Sequence, residues 1–286
     1  MENLNSAQLI NYGNSLCEKN PFIAQKLISK GIILDPSIST SFYNLGISLH
    51  MQRRPDAAIK AYKQSLLIPG GPTKSTKANL AQDLLLNGNF KEGWEMYESR
   101  LKNKQNDCFR HHLGEPWSGP EEDSQLPENL LLIGEQGFGD TIQFFRFAIL
   151  MKKLGIKTTL FCHEKLIPLL ESNRHIDKVM HNISFDQLEL NTKWCPLLSM
   201  PIKLKINNYN IPYYHSYIKA NIRMVNEWKD ILKRRNNNKL IGIYWQGNPE
   251  FENNIYSRGR SMHFNDLSNL QIIKDIEFVS LQKGIG

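Results

Sequence analysis

The chain has 286 residues, 41% of them hydrophobic and 22% charged, with a formal net charge of +7. That length suggests two domains or three, and the mean hydropathy of −0.43 argues against an integral membrane protein. The most apolar stretch, Phe144 to Met151, is broken by Arg146 and closed by Lys152 and Lys153, far short of the roughly 20 apolar residues that span a bilayer.

Residues 1–129 carry 14 basic and 14 acidic side chains, so the whole positive excess lies beyond them. Such a basic half attracts polyanions, phosphorylated small molecules or acidic surfaces, or simply supplies surface charge. No Lys/Arg run interleaved with aromatics marks a nucleic-acid groove. Lys233-Arg234-Arg235, followed by three asparagines, reads as a helix end and loop. The first five residues lack the basic and apolar segments of a secretory leader. Cys17, Cys108, Cys162 and Cys195 form no CxxC pair, which fits reduced thiols in a cytoplasmic protein and not a disulfide framework or a zinc site.

In chain order, the first feature is a repeat. Gly13, Gly46 and Ala81 follow aromatic or leucine residues (Tyr12, Leu45, Leu80) and precede Leu16, Leu49 and Leu84, at a spacing of about 34 residues. The small residue lets two helices approach closely, and an aromatic such as Tyr62 fills the gap to the neighbouring unit. Pro36 and Pro69 stop the second helices of the first two units. Across residues 5–104 this pattern resembles the tetratricopeptide-repeat family, which implies a helical hairpin array with a concave face for a protein or peptide partner, or for the next domain.

Residues 105–129 read as a linker rich in turn formers, including Glu115-Pro116-Trp117-Ser118-Gly119-Pro120 and an acidic run at 121–123. His111-His112 lacks a further spaced ligand and reads as loop. Leu130 to Ile133 is a continuous apolar run of strand length, as in a parallel strand covered on both faces. A helix from Thr141 to Leu154, ended by Gly155, and a strand at 158–161 complete a βαβ unit. A helix at Lys165–Glu171, a strand at Asp177–Met180 and strand ends near Phe185-Asp186 and Trp194–Ser199 continue the alternation, which points to a doubly wound sheet.

Between strand and helix lies Gly134-Glu135-Gln136-Gly137-Phe138-Gly139-Asp140, where open parallel sheets bind ligands. The dinucleotide fingerprint G-x-G-x-x-G does not fit, and a carboxylate at the helix N-cap occupies the place of a pyrophosphate. Two readings of Asp140 remain open: a general base beside a sugar hydroxyl, or a helix cap.

Lys219 to Arg235 reads as an amphipathic helix with Ile222, Val225, Trp228, Ile231 and Leu232 on one side. Leu240 to Trp245 is a second buried-type strand, ending in Gln246-Gly247-Asn248-Pro249. A loop with Arg258, Arg260 and Ser261 follows, then a helix at 263–273 and a strand at 277–281. The two arginines suit an anionic group, since guanidinium makes paired bonds to phosphate oxygens, or are plain surface charges.

Taken together, the 134–144 stretch, Cys195-Pro196-Leu197-Leu198-Ser199-Met200-Pro201, Ile243-Tyr244-Trp245-Gln246-Gly247-Asn248-Pro249, Arg260-Ser261 and Ser280-Leu281-Gln282-Lys283-Gly284 look like bacterial tetratricopeptide-repeat proteins with a glycosyltransferase-like C-terminal part. That part is similar to the heptosyltransferases, family 9 of the glycosyltransferases. Its combination with repeats resembles the O-linked N-acetylglucosamine transferases. The resemblance covers about residues 90–286.

It implies an α plus α/β chain: helical repeats at 1–104, a linker at 105–129, a Rossmann-like GT-B N-terminal lobe at 130–238, and an incomplete second α/β lobe at 239–286. It implies a nucleotide-sugar donor, no required metal and no other cofactor. Asp140 matches the family's proposed base, Gly137 and Gly139 its glycines, and Phe138 and Gln143 belong to the same substrate-binding stretch. Gly247, Asn248, Arg260 and Ser261, with Arg258 beside them, fall where the second lobe approaches the donor phosphates. The family's second lobe is longer than the final stretch here, which at about 50 residues is small for an independent α/β domain. The expectation is therefore a transferase that is weak or inactive alone, its donor lobe completed by a second polypeptide. The alternative is a non-catalytic scaffold whose repeats bind a protein partner.

Overall fold

A computed structural model describes residues 4–102, 113–135, 137–182, 188–189, 191–212, 216–232, 238–247, 252 and 261–283. His111, His112, Cys108, Phe185 and Asp186 lie outside the described residues.

Six helices open the chain: α1 (Ser6–Leu16), α2 (Pro21–Leu34), α3 (Ser39–Met51), α4 (Pro55–Leu67), α5 (Thr73–Leu86) and α6 (Phe90–Tyr97). Local chemistry sets their starts. The Asn5 side chain accepts from the Gln8 N–H at 2.9 Å while the Gln8 side chain accepts from the Asn5 N–H at 3.0 Å, a reciprocal cap that satisfies two orphan donors. Asn20 caps α2, and Pro21 and Pro55 occupy first-turn positions, where a missing N–H costs nothing. Consecutive helices pack chiefly in pairs, α1 on α2, α3 on α4 and α5 on α6. The small residues make these pairs close: a Cβ at Gly13 would stand 2.6 Å from Ile28, and one at Gly46 would overlap the Tyr62 ring. Tyr62 thus fills the space over the glycine of its own unit. It also shares a core cluster with Leu80 and Leu84 of the next unit.

A 3₁₀ turn at Glu98–Lys102 follows α6. The sheet then forms from β1 (Asn129–Ile133), β2 (Lys157–Phe161), β3 (Lys178–Met180) and β4 (Lys193–Pro196) in the order β3-β2-β1-β4, every pair parallel. Leu130, Leu131 and Leu132 are 0–1% exposed, so both faces of β1 are covered, as its unbroken apolar run requires. One face carries Leu130 and Leu132 against Phe144, Phe147, Ala148 and Met151. The other packs Leu131 on Leu113 and Trp194. Within the 105–129 stretch, Trp117 is 1% exposed, donates its backbone N–H to the Trp194 carbonyl at 2.8 Å, and joins the larger cluster.

The helical segment after β1 is α7 (Phe138–Phe144) and α8 (Arg146–Lys153), interrupted at Phe145. It begins three residues earlier than the sequence reading of Thr141. Gly155, at φ 79°, ends the segment in the left-handed conformation that glycine reaches without strain. Further on are a 3₁₀ turn at Glu164–Leu166, α9 (Ile167–Leu170), a 3₁₀ turn at Leu197–Ser199, and α10 (Met200–Lys203).

By internal contacts the chain divides at Lys219/Ala220 into two compact units. The second contains α11 (Ile222–Ile231), the parallel pair β5 (Lys239–Ile243) and β6 (Ile276–Ser280), and a 3₁₀ helix at Phe264–Ile272. The strand expected to be buried is not: Ile241 is 42% exposed, and no described residue of this unit is buried. Among the described residues each of these strands has a single strand neighbour, so the sheet has no interior strand. On α11, Ile222, Trp228 and Ile231 are more than half exposed. Among the described residues no helix is long and apolar enough to cross a membrane.

Candidate functional site

The strand order reverses beside β1, with β2 on one side and β4 on the other. In open parallel sheets the crevice at such a reversal, outside the carboxyl ends of the strands, is where ligands bind. The glycine turn emerges there. The Gly134 N–H donates to the Phe161 carbonyl at 2.8 Å, which ties the end of β1 to β2.

Asp140 is not the N-cap expected from the sequence. Gly137 is the cap, and Asp140 stands at the third helical position. Its Oδ2 accepts from the Gly137 N–H at 3.2 Å, so the carboxylate faces back over the turn. An acidic group in the first turn complements the positive helix end. The residue is half-buried, and its Oδ1 accepts no hydrogen bond from the described residues.

Gly137 has φ −64°, a backbone conformation open to any residue. A Cβ at Gly139 would meet no described atom within 4 Å. Neither glycine is demanded by the packing of the turn itself, so the space they leave is free for something to approach. Phe138, 42% exposed, stands edge-on to the His163 ring at 4.8 Å between centroids, which closes one side of the turn from the end of β2. Gln143 is exposed on the same helical segment and lines a separate cavity, described below.

Sequence reasoning missed the other side. Arg100, at the end of the helical array, reaches Glu135 in the glycine turn with two bonds, Nε to Oε1 at 3.1 Å and Nη2 to Oε2 at 2.9 Å. Its Nη1 donates to Glu98 at 2.6 Å, and its Nη2 also donates to Ser199 Oγ at 2.9 Å. Ser199 in turn donates to Glu98 at 2.8 Å. The guanidinium lies 4.6 Å from the Tyr97 ring centroid. Side chains of Arg100 and Glu135 are only 12% and 11% exposed. Burial works against the Arg100 charge, but the bond and charge of Glu135, with Glu98, outweigh it and raise its pKa. The Tyr97 phenol is pushed up chiefly by burial, against the pull of Arg100, and Asp140 and Glu135 add to the rise. The sequence signals were the glutamate inside the glycine turn and the serine after Cys195-Pro196-Leu197-Leu198, both quoted for other reasons.

In the second unit, Gly247 and Ser261 are brought together at the carboxyl end of β5: the Gly247 N–H donates to Ser261 Oγ at 2.9 Å. Ser261 donates onward to the Glu252 carboxylate. Gln246 and Gln282 bond across the ends of the two strands, Gln246 N–H to Gln282 Oε1 at 3.1 Å. Asn248, Arg258 and Arg260 lie outside the described residues.

The described cysteines, Cys17, Cys162 and Cys195, are free and buried. Burial pushes the Cys17 and Cys162 thiols up to about 11 and raises Cys195 further, which keeps them protonated and unreactive.

No protein-family model matches the chain. Its sequence is similar to Protein FlbA of Caulobacter vibrioides, 30% identical over 114 residues. That alignment covers 39% of this chain and 19% of FlbA, so the chain spans about a fifth of the length of the curated relative it matches. Among solved structures it is similar to a mutant O-GlcNAc transferase of Thermobaculum terrenum, at 11% identity and a TM-score of 0.32, covering 65% of this chain and 43% of that one.

Proposed function

We propose that this chain is glycosyltransferase-like and serves transfer of a sugar from a nucleotide-sugar donor to an acceptor hydroxyl. The observation that carries the reading is the turn after β1, where a half-buried carboxylate stands beside a glycine with nothing over it. The Asp140 Oδ2 is held by the Gly137 N–H, which orients the group and leaves Oδ1 for a proton. An acceptor hydroxyl seated over Gly139 attacks the anomeric carbon of the donor. The new carbon–oxygen bond forms as the bond to the diphosphate breaks, and the hydroxyl proton passes to Asp140 Oδ1. Negative charge gathers on the departing diphosphate and calls for hydrogen-bond donors or cations around it.

Replacing Asp140→Asn keeps an acceptor for the Gly137 N–H but removes the base. We expect turnover to fall by about a hundredfold or more with the melting temperature lowered by no more than the few degrees that the lost charge at the helix end accounts for, measured by glycosyl transfer from nucleotide sugars alongside thermal unfolding. Unaltered turnover would make Asp140 a helix-capping residue and nothing more. A second reading, a non-catalytic scaffold whose helical array binds a protein partner, is favoured by the same Asp140–Gly137 bond, because capping alone accounts for it. Calorimetric titration with nucleotide sugars separates the two, since a scaffold takes up none.

A further inference from the structure

A cavity of about 230 Å³ opens where the helical array meets the α/β sheet, within the first unit. Leu85, Phe90 and Trp94 line it from α5 and α6, and Phe144, Phe147 and Ile206 from the other side. By volume it exceeds the roughly 150 Å³ apolar cavity that accepts benzene, so it has room for a bicyclic ring or a chain of about eight carbons.

One charged group on this wall lacks the partner its chemistry calls for. Arg146 lines the cavity, yet its guanidinium bonds only to neutral oxygens among the described residues. These are the Gln143 carbonyl at 2.9 Å, the Pro212 carbonyl at 3.5 Å and the Tyr217 hydroxyl at 3.5 Å, and the cation also lies 5.0 Å from the Tyr217 ring centroid. No carboxylate among the described residues pairs with it. Trp94 adds its ring to the wall, while its indole N–H is closed off from the cavity and has no acceptor among the described residues. Its ring is fixed edge-on to Phe144 at 5.8 Å. A cation drawn out of water into a protein wall is normally paired with an anion.

We propose that this cavity binds a small amphiphilic carboxylate, its apolar body among the aromatic and aliphatic side chains and its anionic head on Arg146. The charge chooses the occupant. A neutral apolar guest would fill the volume but leave the cation uncompensated, and a cationic guest would be repelled. A carboxylate adds the paired, charge-assisted bonds that guanidinium geometry favours. The site stands apart from Asp140, which does not line it, and the inference is independent of sugar transfer.

The test is calorimetric titration of the whole chain with octanoate and with octanol. Octanoate should bind at least about tenfold more tightly than octanol, and Arg146→Met should abolish that preference while Arg146→Lys retains part of it. Ile206→Trp, which fills the space, should abolish binding of both. No octanoate binding at millimolar concentration, equal affinity for octanol, or an Arg146→Met chain that still prefers the acid would each overturn the proposal. If Arg146→Met does not fold, the comparison of acid with alcohol on the unaltered chain still decides.

Discussion

Arg100 shows how one side chain can be held in place from several directions at once. It sits between Glu135 and Glu98 with Ser199 bridging, and little of it is exposed. Removing one member of a buried ion pair leaves the other charge stranded, at a cost of about 3–5 kcal/mol. Arg100→Met should therefore lower the unfolding free energy by about 3 kcal/mol in urea titrations at neutral pH. Asp177 illustrates a milder case. Burial opposes its charge, but the Lys152 ammonium and the Thr158 N–H, the latter at 2.9 Å, outweigh it and hold the carboxyl below its ordinary value. A carboxyl whose folded pKa is depressed stabilises the fold fully above its unfolded value, and that contribution is lost as pH falls through the folded one. Asp177→Asn should destabilise at pH 7, by under about 1 kcal/mol given its exposure to solvent. The difference from the unaltered chain should close in acid, as melts at neutral and low pH will show.

At the scale of elements, two glycines make opposite predictions. Gly46 faces the Tyr62 ring, and an added methyl there overpacks α3 against α4, so Gly46→Ala should cost about 1–3 kcal/mol. Gly139 faces open space in the first turn of α7. Gly139→Ala should be neutral or stabilise by up to about 1 kcal/mol, yet reduce sugar transfer if an acceptor lies over it. Paired melting and transfer assays on both variants read this out. The elements themselves were legible to different degrees. The spacing of Gly13, Gly46 and Ala81 revealed the helical pairs because close helix packing needs a small residue once per unit. The run Leu130–Ile133 revealed β1 because a strand covered on both faces needs no alternation. The start of α7 was misplaced because glycines at 137 and 139 look like loop, whereas Gly137 caps and Gly139 is already helical. The Arg100–Glu135 bond was invisible because it joins residues with no shared period, through a tertiary approach of the array to the sheet. Asp140 was legible as a carboxylate in a strand-end turn, though not in the direction it faces.

Across the whole molecule, the two units differ in kind. The first has a continuous core beneath β1, whose central leucines are sealed from water. The second buries no described residue. Local opening free energy follows buried apolar packing and protection of backbone bonds. Amides of Leu130 to Leu132 should thus exchange with deuterium at least about a hundredfold more slowly than those of residues 240–243, as mass spectrometry of peptides from each segment will test. Comparable protection in both segments would mean that the second unit acquires a core from something beyond the described residues. The exposed strand of that unit was not legible from its sequence, since Leu240 to Trp245 is as apolar as β1. What differs is the number of neighbours available to cover it.

The bond from Arg100 to the glycine turn has a consequence for dissection. Severing the chain ahead of residue 113 would take away the guanidinium and leave Glu135 desolvated without a counter-charge at the mouth of the sheet. The helical array is therefore no detachable adaptor: a graft of this sheet onto a foreign array would keep its full stability only where the last helical turn supplies an arginine in the same place.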